Sequence, residues 1–267
     1  IIKDFSEIEF SVFSQFGEDG IINWLIDKFP EIPKTFIEIG TQDYWESNTR
    51  FLLKLRSWKG YLIEANKDDF KKIKKQSIYW QNDLKIFNKF VDKENINTIL
   101  SRDINESKIG LFSLDIDGND FWILQKISKL KPYLFVCEYN PIFGYKKQIS
   151  TVYDPKFDRT KKHFSNLYFG CSIRALISLM KTKKYTFLGT NSKGMNAFFV
   201  RNDKLRYVNK FIKDKKIHKP LIREGREKSG KLNLKSLSEN LKLIRNMSVI
   251  DTKIMKKKKL STYKELF

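Results

Sequence analysis

The stretch from Thr35 to Thr49 constrains this chain more than any other. A short apolar run, Phe36-Ile37-Glu38-Ile39, leads to Gly40 and a polar loop, and Ser47-Asn48-Thr49 then precedes a helical pattern at Phe51, Leu52, Leu53 and Leu55. That order spells strand, tight turn, helix. The hydroxyl and amide side chains of Ser47, Asn48 and Thr49 stand where a helix start leaves backbone N–H groups unpaired. A turn of this kind is a natural seat for an anion or a nucleotide-like cofactor. At Gly40 a side chain would keep the backbone away from such a ligand.

The three-glycine dinucleotide fingerprint is absent, which weakens a nicotinamide reading. A second apolar run, Gly60-Tyr61-Leu62-Ile63-Glu64-Ala65-Asn66, ends in a carboxylate about twenty residues on, where an acid can accept hydrogen bonds from both ribose hydroxyls. Either run alone also fits an ordinary buried strand. In this order and spacing they favour a cofactor that contains a nucleoside.

Strand-like runs continue at Leu84–Val91, Ile109–Asp117 and Tyr133–Tyr139, with helical patterns between them, and Thr186–Leu188 and Ala197–Val200 follow a helix at Ser172–Met180. Alternation of this kind predicts an α/β fold with a mostly parallel seven-stranded sheet and helices on both faces. Ligands collect at the carboxyl ends of such strands. There the fourth strand ends in Asp115-Ile116-Asp117 and the fifth in Glu138-Tyr139-Asn140. Period-two alternation places Asp115 with Asp117 and Glu138 with Asn140. Converging at one rim, the four would suit a hard divalent cation such as Mg2+ or Mn2+. The same side chains also fit a second role, capping the following helices and binding substrate hydroxyls without metal.

Residues 145–170 read as an aromatic, loop-rich lid over the acceptor. His163 lies in it, one of only two histidines, and is a candidate general base; a histidine beside aromatics is also commonly structural. Composition sets the remaining bounds. With 267 residues and 41% hydrophobic content the chain can bury a substantial core. Cys137 and Cys171 form neither a metal motif nor a disulfide framework, no apolar run reaches membrane-spanning length, and the first residues do not read as a signal peptide, so a cytoplasmic location is expected. The net charge of +21 favours an anionic partner. Its densest part follows Asn202 and ends in Lys256-Lys257-Lys258-Lys259, which also suits peripheral contact with acidic lipid. Nucleic-acid sites interleave stacking aromatics with basic residues, and beyond residue 211 only Tyr263 and Phe267 are aromatic, so a dedicated nucleic-acid site is not expected. The division is therefore 1–201 for the cofactor-binding domain and 202–267 for a basic, mainly helical extension. Leu232, Leu234, Leu237 and Leu241 in that extension could pack on a second copy or on their own domain.

Taken together, Ser14-Gln15-Phe16-Gly17-Glu18-Asp19-Gly20, the Phe36–Thr49 stretch, Gly60–Asn66, Leu114–Trp122 and Cys137–Asn140 resemble the bacterial FkbM-like methyltransferases, in particular the branch found in capsule and surface-polysaccharide gene clusters. The similarity runs from about Ser14 to Arg201. It implies a Rossmann-like class I fold, S-adenosylmethionine as cofactor, and O-methylation of a sugar hydroxyl, with a nucleotide-activated heptose or deoxyhexose as an acceptor that suits the basic charge. A lipid-linked or polymeric glycan at the membrane is the alternative acceptor, and a non-catalytic RNA-binding module the alternative function. Carried over by position, the resemblance implies that Glu38, Gly40 and Gln42 line the methionine part of the cofactor and that Glu64 holds its ribose; Gln15 is a further candidate cofactor contact. Asp115 matches the family's aspartate at the end of the fourth strand. Asp117, the candidate catalytic carboxylate, stands where many relatives have glutamate.

Overall fold

The computed structural model describes residues 1–220 and 225–267; residues 221–224 of the basic tail lie outside the described residues. Strands β1 (Thr35–Ile39), β2 (Lys59–Glu64), β3 (Leu84–Asn88), β4 (Leu111–Leu114) and β5 (Leu134–Glu138) run parallel. Strand β6 (Ile149–Thr151) leaves this sheet, and β7 (Tyr185–Thr190) and β8 (Asn196–Arg201) complete it, with β8 antiparallel to both neighbours. The sheet order is β3-β2-β1-β4-β5-β8-β7. This is the seven-stranded, mostly parallel Rossmann-like architecture expected from the alternating pattern. Strand order reverses beside β1, so the crevice over its carboxyl end is where such sheets bind ligands.

The strands are buried on both faces because their apolar residues do not alternate with polar ones. Ile37, Ile39, Tyr61, Ile63, Phe112, Leu114, Phe135 and Phe199 point to one core, which α5 (Ile96–Thr98), α6 (Asp120–Lys126) and α8 (Ile173–Thr182) cover. Phe36, Leu62, Leu111, Leu134, Val136 and Phe198 point to the other, under α1 (Glu18–Ile26), α2 (Arg50–Leu55), α3 (Lys67–Lys75) and α4 (Ser77–Gln81). Glu38 and Ser113 are register neighbours on the second face, and both serve the site.

The tail departs from its expected form. It is not mainly helical: α9 (Leu237–Ile244) is its only α-helix among the described residues, and β9 (Ser248–Asp251) and β10 (Lys256–Lys259) form a hairpin. Strand β9 pairs with β6, giving a second sheet of order β10-β9-β6. The physical reason is tertiary: Val249 and Leu260 are buried with Phe143, from the turn after β5, and Leu167 and Tyr168 of the lid, and that packing fixes the hairpin where intrinsic propensity would not. Leu237 and Leu241 pack into this same cluster, whereas Leu232 and Leu234 are exposed. The lid itself, read as loop, holds β6 and a short helix α7 (Arg159–Lys162).

Candidate active site

The turn after β1 is built around two buried carboxylates. Glu38 accepts hydrogen bonds from the Ser47 hydroxyl (2.6 Å), the Asn48 N–H (3.1 Å) and the Thr49 hydroxyl. Thr49 does not cap α2 with its side chain, as the sequence suggested; its hydroxyl and that of Ser47 donate to Glu38, while Ser47 Oγ also accepts the Thr49 N–H just before the helix (3.0 Å). Thr49 is fully buried, with its hydroxyl also 3.0 Å from Tyr44, and it is scaffold rather than a ligand contact. Glu64 accepts from the Thr41 N–H (3.0 Å), the Gln42 N–H (2.8 Å) and the Asn66 N–H (2.7 Å), tying the end of β2 to the same turn. Burial raises the pKa of both acids, against the lowering effect of these donors.

Gly40 has φ +82°, and a Cβ there would overlap the Asp115 carbonyl oxygen. The sequence reading assigned this glycine to ligand approach; what requires it is the passage of β4's end across β1. Three non-glycine residues of the surrounding loops, Gln42 (φ +47°), Tyr44 (φ +64°) and Asp117 (φ +56°), also have left-handed backbone. Such conformations cost energy and gather where a site needs a particular loop shape.

On the other side of the turn, Asp19 accepts from the backbone N–H groups of Val12 (2.7 Å), Phe13 (2.6 Å) and Ser14 (2.9 Å). Glu18, fully buried, accepts from the side-chain amides of Asn191 and Asn196, both at 2.8 Å. These bonds fix the loop that presents Gln15 to the groove.

Beyond β4 and β5 the acids converge. One carboxylate oxygen each from Asp115, Asp117 and Glu138 lies within 4.8 Å of the others. Burial, then the charge of Asp117, pushes Asp115 well above the usual carboxylate range; burial, then Asp115, does the same to Glu138. Burial and mutual repulsion of these neighbouring carboxylates both favour their protonated forms. The remaining oxygen of Glu138, Oε2, is buried without a partner. Asp117 is ion-paired with Arg159 of α7, whose guanidinium lies 3.7 Å from the centre of the Phe169 ring. Asp120 shapes the loop from beneath, accepting from the N–H groups of Ile116 and Gly118, both at 2.9 Å; burial pushes its pKa up to about 6.

Two further expectations are corrected. Asn140 is not beside the three acids' free oxygens: its Oδ1 accepts from the Ile142 N–H (3.0 Å), and its amide donates to the Leu167 and Phe169 carbonyls, both at 2.9 Å. Strand β5 ends at Glu138, and the Asn140 side chain is taken up as the cap of the Pro141–Phe143 turn. His163 is set on Ser165, with Nδ1 2.7 Å from its hydroxyl, and stacks on Phe164. It does not line the cavities around the acids, where Phe157 and Arg159 of the same lid stand in its place. Burial lowers its pKa. Arg159 had no sequence signal, as one of 52 basic residues.

Three adjoining cavities result. One of about 210 Å³ is lined by Gly40, Gln42, Glu64, Ala65, Val91 and Asn119. A second of about 290 Å³ is lined by Gln15, Glu38, Gln42, Ser47, Asn48 and Asn196. Both reach Asp115 and Asp117. A third of about 590 Å³ opens outward from Asp117 between Phe157, Lys156, Arg159 and Lys161. The side-chain oxygens of Asn119 and Asn196 are buried without partners at the edges of the first two.

No protein-family model matches this chain, and no curated protein does. Solved structures that overlap it include an S-adenosylmethionine-dependent methyltransferase from Clostridium acetobutylicum ATCC 824 (9% identity, TM-score 0.43, covering 69% of this chain and 90% of that one). The N-terminal domain of EvdMO1 with SAH bound overlaps at 8% identity and TM-score 0.42, covering 68% of this chain and 79% of that one. A fibrillarin/Nop5p complex overlaps at 10% identity and TM-score 0.40, covering 72% and 88%. Overlaps of this size establish no common activity; the fold rests on the sheet's own order and directions.

Proposed function

We propose that this chain is an S-adenosylmethionine-dependent methyltransferase that O-methylates a sugar hydroxyl of an anionic, nucleotide-activated acceptor. The observation that carries the reading is the pair of cavities meeting at Asp115 and Asp117, one walled by Glu64 and apolar residues, the other by polar side chains. A nucleoside fits the first and an amino-acid end the second. The unpartnered oxygens of Asn119 and Asn196 support this, because buried polar atoms without partners are what a polar ligand satisfies. Glu64 would hold the ribose, and Gln15, Gln42, Ser47 and Asn48 the methionine end; Glu38 keeps Ser47 and Asn48 in position. The cofactor supplies an electrophilic methyl group when bound.

The residues also fit a divalent cation. Asp115, Asp117 and Glu138 give an all-oxygen donor set, and Glu138 Oε2 lacks any other partner. A cation held there would lower the pKa of the attacking hydroxyl. Of the three acids, Asp117 is the one that also lines the outer cavity, which supports it as the group that accepts the hydroxyl proton. Arg159 and Lys156 suit the phosphates of the acceptor, and Phe157 suits an apolar or stacked face.

Calorimetric titration with S-adenosylhomocysteine, with and without Mg2+ or Mn2+, tests both halves. Micromolar binding is expected, together with cation-dependent binding of a sugar nucleotide. No binding of S-adenosylhomocysteine under any condition would overturn the methyltransferase reading.

A further inference from the structure

We infer that the tip of the β9–β10 hairpin docks this protein on an anionic lipid bilayer. The turn between the strands is Thr252-Lys253-Ile254-Met255, and Ile254 and Met255 are 50% and 51% exposed. Met255 has φ +53°, a conformation that glycine or asparagine adopts more readily, so turn geometry alone does not select methionine there. Lys253, Lys256 and Lys257 are exposed around the two aliphatic side chains. The chain before β6 runs alongside, because the Thr252 N–H donates to the Gln148 carbonyl (2.9 Å), and it brings exposed Lys146 and Lys147 to the same end. The acids nearby are Asp251, which takes Lys258 at 3.0 Å, and Glu265, which lies 3.7 Å from Lys146. They leave the collar strongly basic.

Lysines on an edge strand also guard against strand-to-strand aggregation. That role explains β10 but gives no reason for two adjacent exposed aliphatics at the turn. A nucleic acid would meet the lysines equally well, yet Ile254 and Met255 offer no planar face for a base. An apolar tip collared by lysines matches the boundary between acyl chains and anionic headgroups. No helix among the described residues is long and apolar enough to cross a membrane, so the contact is peripheral. It bears on the site as well: β6 leads from this tip to Thr151, whose hydroxyl donates to the Gly118 carbonyl at 3.2 Å beneath the lid.

The test is co-sedimentation of the full chain with vesicles of phosphatidylcholine alone, or of three parts phosphatidylcholine to one part phosphatidylglycerol. Binding only to the anionic vesicles, weakening with salt, is expected. The Ile254→Ser, Met255→Ser pair should weaken partitioning at least about tenfold without adding charge. The Lys256→Glu, Lys257→Glu pair should weaken it by roughly fivefold per lysine or more. As a charge-matched control, Lys74→Glu with Lys75→Glu on α3 should leave binding within about twofold, the contact being local rather than a general effect of net charge. All these positions are exposed, so unchanged melting curves will certify the variants. Absence of vesicle binding overturns the inference, as does equal loss in the α3 control or no loss in the serine pair. None of these outcomes depends on methyl transfer.

Discussion

The carbonyl oxygen of Asp115 fills the space that a Cβ on Gly40 would need, so the end of β4 and the turn after β1 touch backbone to backbone. Asp115 is thereby held at the rim where both cavities meet. Gly40→Ala combines a backbone overlap with a disfavoured φ of +82° and should destabilise the fold by about 2–4 kcal/mol. Thermal unfolding should show a drop on the order of 10 °C. An unchanged melting temperature would mean that the two loops separate easily.

Asp117→Asn separates chemistry from folding. The Asp117 side chain is 45% exposed, so its loss should alter stability little, and S-adenosylhomocysteine should bind nearly as before. Turnover of a sugar-nucleotide acceptor should fall by about 10²-fold or more, since both proton removal and cation binding would suffer. Full turnover in the variant would remove Asp117 from the mechanism.

Asp120 makes stability depend on pH. Its folded pKa is raised by burial to about 6 from 3.8, so the folded chain binds the proton more tightly than the unfolded chain. The contribution is fully present below about pH 4 and is lost as pH rises through about 6. A shift of about two units corresponds to about 3 kcal/mol. Urea unfolding of the native chain and of Asp120→Asn at pH 4.5 and pH 7 reads this directly, because the variant cannot titrate there. The stability gap between them should move against the native chain on going to pH 7. A gap independent of pH would contradict the assignment.

What the sequence made legible follows from local physics. The runs at Phe36–Ile39, Gly60–Glu64 and Tyr133–Tyr139 are buried on both faces, so their composition alone marks them, and β1, β2 and β5 fall there. The convergence of Asp115, Asp117 and Glu138 was legible because parallel neighbours end at one rim. Asn140 was misplaced because its amide is taken up by the Leu167 and Phe169 carbonyls and the Ile142 N–H, contacts from a later loop and turn that alternation along β5 does not encode. The strand Lys256–Lys259 was invisible, since four lysines carry no β pattern and only pairing with β9 makes them a strand. Arg159 comes to Asp117 from 42 residues away through the lid's fold, a relation that no spacing encodes.

Glu38 gives the sharpest contrast between scaffold and ligand contact. Its neighbours present three donors to it, the hydroxyls of Ser47 and Thr49 and the N–H of Asn48. Glu38→Gln keeps the size but turns an amide N–H2 toward donors, leaving at least one of them unpaired in a buried site. The expected loss of stability is about 1–3 kcal/mol, read by urea unfolding. Asn48 also reaches across to β4, where its side-chain amide donates to the Ser113 hydroxyl at 3.1 Å, so releasing it loosens one wall of the second cavity. Affinity for S-adenosylhomocysteine should therefore fall together with stability in Glu38→Gln. In Gln15→Ala, by contrast, affinity should fall alone, because Gln15 lines the cavity while Asp19 and Glu18 carry its loop. If Glu38→Gln weakened binding without loss of stability, Glu38 would be a direct ligand contact instead of the brace for Ser47 and Asn48.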